Sequence, residues 1–123
     1  MPVRLGIVTA ALLLSVAVMP LSAHHGWAGQ QNQETQLTGV VTEAVSLAGP
    51  HATMKIRVED QVWDVTLAPS NRTANAGLRE NTIPVGATVT IHGHRSSNAQ
   101  RFEMKTERVV HNGRTYAVYP DRD

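Results

Sequence analysis

The sequence predicts a mostly-β domain, a small five- to six-stranded Greek-key barrel of the OB type with one short helical connection. Three observations carry this. Ala52, Met54, Ile56 and Val58 alternate with Thr53, Lys55 and Arg57, a period of two that marks a strand with one buried face. Short β-branched runs recur along the chain, separated by Gly, Asn, Ser and Pro. A single stretch with helix-like spacing, from Pro69 to Glu80, falls between the third and fourth of them.

The elements follow in order. Residues 1–23 read as a secretory signal that would form a helix. Arg4 is the positive start, Leu5 to Met19 is the apolar core, and Pro20-Leu21-Ser22-Ala23 ends in a small residue. The run is short of the roughly 20 apolar residues a membrane span needs, so no stable anchor is expected once it is cut. Cleavage after Ala23 is preferred. Cleavage after Ala28 would place Gly26 at the −3 position, but it lies far from the apolar core and would discard His24 and His25.

Residues 24–36 are polar, Gln-rich and read as an irregular arm. The barrel is assigned to residues 37–119. Leu37 to Val45 is its first strand, with Gly39 at a bulge or bend. Ala48-Gly49-Pro50 turns into the alternating second strand. Glu59-Asp60-Gln61 turns again into a third strand holding Val62, Trp63, Val65 and Leu67. The burial of Trp63 is left unassigned.

The helix-like stretch could be capped by Ser70. Thr88 to His94 is the fourth strand, with Val89, Ile91 and Gly93 on one face and Thr90, His92 and His94 on the other. Phe102, Met104 and Thr106 begin the fifth. Asn112-Gly113 is a strong hairpin signal leading to a return strand over 115–118. The last residues, 120–123, read as a polar tail. The core should hold Met54, Ile56, Val58, Val65, Val89, Ile91, Phe102 and Met104.

Charge narrows the function. The chain has eleven Lys/Arg against ten Asp/Glu, and cleavage after Ala23 removes only Arg4. A near-neutral domain without a basic patch argues against nucleic acid. The same neutrality, with scarce aromatics, disfavours an oligonucleotide- or oligosaccharide-binding barrel. Cysteine is absent, which removes both disulfides and thiolate metal sites and leaves stability to the packed core. No serine-hydrolase elbow, zinc-protease helix or phosphate loop occurs, so the chain reads as a non-enzyme.

The chemistry that remains is imidazole. Cleavage after Ala23 would give His24 a free α-amine, which can chelate a metal together with its own ring. His25 or a distant histidine would complete the set. Nitrogen donors favour copper, with zinc second. His92 and His94, two apart on one strand, form a rival pair. Asp64 could orient a histidine. Trp27 and Trp63 are candidates for a ligand pocket, or else for core packing and docking of the arm. A solvated, ligand-free face is the other reading of each histidine.

Several segments occur in a recognisable order: Ala23-His24-His25-Gly26-Trp27, Leu37-Thr38-Gly39-Val40-Val41, Gly49-Pro50-His51, Trp63, and Val85 to Gly93. This order resembles DUF6152, a family of small exported bacterial proteins. Its members show an Ala-His-His-aromatic motif after the signal, a Leu-Thr-Gly-x-Val strand and an Asn-Pro-His turn. Gly49 stands where the family has Asn. The resemblance implies a periplasmic or secreted protein with a small barrel-like fold, and it places His24, His25 and His51 on motif positions. It supplies no activity and no protein partner. The functions to weigh are therefore a periplasmic metal-binding module and an envelope accessory or protein-interaction domain with no ligand.

Export is directly testable. Cell fractionation should find the protein outside the cytoplasm, with His24 as its first residue by N-terminal sequencing. A full-length chain of 123 residues in the cytoplasm would exclude it.

Overall fold

The computed structural model describes residues 27–122. The strands are β1 (Thr35–Ser46), β2 (His51–Val58), β3 (Gln61–Pro69), β4 (Thr88–Arg95), β5 (Glu103–His111) and β6 (Arg114–Ala117). A helix, α1 (Ser70–Asn75), follows β3, and a 3-10 turn covers Pro120–Arg122. The strand order is β3-β2-β1-β4-β5-β6, and parallel pairing of β3 with β5 closes the first five into a barrel. This is the OB-type Greek key that the sequence predicts, with β6 added outside the closed ring.

β1 makes the barrel possible by serving two partners. Its first half, Thr35 to Val40, pairs with β4, and Val40 to Ser46 pairs with β2. The strand must therefore bend where the partners change. Gly39 sits at that corner, where a Cβ would stand 2.5 Å from the Arg57 carbonyl oxygen. Only glycine allows so close an approach.

The inward face holds Val41, Val45, Met54, Ile56, Trp63, Val65, Leu67, Val89, Ile91, Met104 and Val109. Trp63 is in step with Val65 and Leu67, so it too points inward. Leu78 and Ile83, from the connection between α1 and β4, complete the core.

Two expectations are corrected. Phe102 is 38% exposed. It precedes the first residue of β5, beyond the layer that the barrel encloses, and packs edge-on against Trp63 at 5.3 Å between ring centroids. Ser70 does not cap α1. Pro69 holds the N-cap position with no side-chain bond, and the Ser70 hydroxyl donates instead to the Gly49 carbonyl at 2.6 Å. That bond ties α1 to the β1–β2 turn.

β5 carries the decisive irregularity. His92 of β4 opposes Arg108, but the next residue, Gly93, opposes Thr106. Glu107 is therefore an extra residue in β5, a β-bulge. Met104 and Thr106 are buried before it and Val109 after it, so the bulge resets the alternation. Without it, Arg108 would face the core in place of Val109. At the far end of the strand, Asn112 (φ +51°) and Gly113 (φ +74°) both take positive φ, as a two-residue hairpin demands.

Core and rim should respond differently to truncation. Ile91→Ala should cost about 2–5 kcal/mol of unfolding free energy. Phe102→Ala, at the rim, should cost under half as much in the same denaturant titration.

Candidate functional site

The side chains richest in chemistry gather on the outer face of β4 and β5, where the N-terminal arm folds back over the barrel. Arm and β4 are joined by backbone bonds. Gln30 bridges to Ser96, the Gln31 amide donates to the Arg95 carbonyl at 2.9 Å, and the Ser97 amide donates to the Gly29 carbonyl at 2.9 Å. The arm thus continues the antiparallel pairing of β1 along the end of β4.

Trp27 is the arm's anchor. Its ring is buried and meets both the His94 and the Tyr119 rings edge-on, at 5.4 Å in each case. Two cations lie on it, with Arg122 Cζ at 4.1 Å and Lys105 Nζ at 5.1 Å from its centroid. These are cation–π contacts of a partly desolvated kind. Burial, and then the nearby Arg122 guanidinium, push the Lys105 amine below its ordinary range. Burial pushes the Tyr119 phenol up, with Arg72, 5.4 Å over its ring, pulling the other way.

Beneath Trp27 lies a buried His–Glu pair. His94 Nε2 is 2.6 Å from Glu107 Oε1, and His94 Nδ1 is 2.7 Å from the Gln31 carbonyl oxygen. Their side chains are 8% and 2% exposed. Arg108 Nη1 and Arg122 Nε each stand 3.6 Å from the Glu107 carboxylate. The bulge positions all of this. It turns the Glu107 side chain toward His94, while the Glu107 carbonyl accepts the amides of Val118 and Tyr119 at 3.0 Å each. The C-terminal segment is held in place by those two bonds.

Each residue expected from the sequence has a definite place or lies outside the described chain. His24 and His25 lie outside the described residues. His51 opens β2 opposite Pro69 and is half-buried. His92 is half-buried, its Nδ1 3.2 Å from both Glu34 Oε1 and Arg108 Nη2, and Glu34 also accepts from Arg108 at 2.8 Å.

His92 and His94 do share a face, but both ring nitrogens of His94 are engaged. Among the described residues the pair therefore offers at most one unpartnered nitrogen, Nε2 of His92. Among the described residues no group of three His, Asp or Glu side chains is placed to hold a metal ion. Asp64 faces Lys55 at 3.5 Å rather than any histidine. Trp27 and Trp63 are packed, Trp63 under the Arg95 guanidinium at 4.9 Å. A shallow groove of about 130 Å³ lies beside the arm, lined by Gln30, Thr66, Glu103, Met104 and Lys105, and includes neither tryptophan.

Fold and site together define a class: a small OB-type barrel whose N-terminal arm is pinned by an aromatic clamp over a buried His–Glu pair. The chain belongs to a family of unknown function, DUF6152, whose model matches residues 11–105. The match takes in Trp27, His51 and His94 and ends two residues before Glu107. No curated protein matches the chain.

Sequence reasoning missed Glu107, Lys105, Tyr119 and Arg122 as site residues. Alternation sets Glu103, Lys105 and Glu107 opposite the apolar face of Met104, and residues 120–123 read only as a polar tail. The clamp gives a spectroscopic prediction. In an NMR titration, Lys105 should lose its proton at lower pH than a fully hydrated lysine does. Trp27→Ala, which rehydrates the amine, should raise the Lys105 midpoint more than Arg122→Ala does.

Proposed function

We propose that this protein is an exported binding module, working in the periplasm, that holds one transition-metal ion through the nitrogens of its N-terminal arm. His24 would supply its α-amine and imidazole, His25 a further imidazole, and His51 a nitrogen from the barrel. Copper is favoured over zinc, because an all-nitrogen set without thiolate follows the Irving–Williams order. The role is binding rather than catalysis.

One observation carries this reading. Trp27 is docked, and His25 and His24 are the second and third residues before it. At about 3.6 Å per residue, their Cα atoms lie within about 7 and 11 Å of a fixed point on the barrel. An arm that swung freely would give up more conformational entropy to close a chelate. A chain of contacts also links the clamp to the turn that leads into His51. Trp27 meets Tyr119, Tyr119 meets Arg72 of α1, and Ser70 of α1 bonds the turn that leads into His51.

The competing reading, an envelope accessory domain without a ligand, draws on Val62 and Phe102. They are 44% and 38% exposed.

Calorimetry with Cu(II) and Zn(II) on the exported protein separates the two. Tight one-to-one Cu(II) binding is expected, lost in His24→Ala and weakened at least tenfold in His51→Ala. It should persist, weakened, in the His92→Ala/His94→Ala double variant, because that variant lacks the His94 contacts that dock the arm. Because the ligands must be deprotonated, affinity should fall as pH drops from about 8 to 6. Loss in the double variant alone would move the site to β4. No binding to any form would favour the accessory-domain reading.

A further inference from the structure

We propose that His94 and Glu107 form a proton-operated latch that holds the N-terminal arm against the barrel. The proposal is independent of any bound metal.

The argument is a count of protons. A neutral imidazole carries one N–H. Here both ring nitrogens face oxygen acceptors at bonding distance, the Gln31 carbonyl at 2.7 Å and the Glu107 carboxylate at 2.6 Å. A carbonyl can only accept, so Nδ1 must donate to Gln31. The short contact to Glu107 then needs a second proton between Nε2 and Oε1. With that proton the pair is a charge-assisted bond in a buried setting. Without it, the Nε2 lone pair faces a carboxylate oxygen at 2.6 Å. One of the two bonds must then break. The bond to Gln31 is the one that belongs to the arm, and Trp27 rests its ring edge-on against the same imidazole.

The charged surroundings fit this assignment. On β5, Arg108 stands 3.6 Å from the carboxylate, and from the C-terminal segment Arg122 does the same. With two guanidiniums already beside the carboxylate oxygens, the second proton is assigned to the ring nitrogen. Lys105 and Arg122 on the Trp27 ring, Arg95 on β4 and Arg72 across the Tyr119 phenol all oppose a further positive charge, as does His92 on β4 when it carries a proton. Glu34 on the arm is occupied by Arg108 and His92. The carboxylate at 2.6 Å outweighs these cations because Coulomb attraction falls with distance.

The docked arm thus holds one more proton than the released arm. Linkage makes docking weaken as pH rises, by up to about tenfold per pH unit for a single proton.

Acrylamide quenching of Trp27 fluorescence in metal-free protein tests this. The chain has two tryptophans, so Trp63→Phe leaves Trp27 as the only reporter. Quenching should rise several-fold from about pH 5 to pH 8, the range in which imidazole changes charge. The far-ultraviolet circular dichroism should stay constant.

Glu107→Gln supplies an amide N–H to Nε2 of a neutral ring. It should keep Trp27 protected across the whole range, and His92→Gln should keep the step. His94→Gln should leave Trp27 accessible at every pH. If the Trp63→Phe background does not fold, hydrogen exchange of the Trp27 indole N–H, followed by NMR in the otherwise unmodified proteins, reads the same equilibrium. Flat quenching in the parent protein, or a pH step that survives in Glu107→Gln, would overturn the latch.

Discussion

The extra residue in β5 is the constraint on which the rest of this structure depends. An antiparallel pair has no partner for Glu107, so its backbone bulges and its neighbours change faces. That shift puts Val109 into the core and Arg108 outside, where it meets Glu34 of the arm. It frees the Glu107 carbonyl to hold the C-terminal segment and aims the carboxylate at His94. Gly93 lies opposite, so close to the Lys105 and Thr106 backbone that a Cβ there would clash. One irregular position thereby organises the core, the arm and the tail at once.

The barrel itself was legible because alternation reports burial directly. Met54 and Ile56, or Val89 and Ile91, are separated by polar residues and point into the same core. The Asn112-Gly113 turn was legible for a different reason, since few residue pairs accept two consecutive positive φ angles. Phe102 misled because alternation extends past the end of a strand without saying where the enclosed layer stops.

The candidate site was far less legible. Alternation puts His92 and His94 on one outward face and treats them alike. They differ because the arm, some 60 residues earlier in sequence, returns to bury His94 under Trp27 and Gln31, whereas His92 meets only Glu34 of the arm near the surface. No local pattern encodes that return. Trp27 was the one visible hint, a large aromatic in an otherwise polar arm. The bulge was hidden as well, since Thr106-Glu107-Arg108-Val109 contains no glycine to mark it. Glu107 looked like any charged residue on a solvated strand, and its burial follows from the register of a partner strand.

The clamp also joins the two ends of the described chain. Trp27 touches Tyr119 and Arg122, so its contacts span the whole described chain, whereas most of the barrel is stitched by neighbouring hairpins. Closing so long a loop costs more entropy than closing a hairpin and is repaid only after the barrel has formed. Such long-range contacts are the kind that open by local rather than global unfolding. A protein built this way can free its amino-terminal segment by local unfolding while its barrel stays intact.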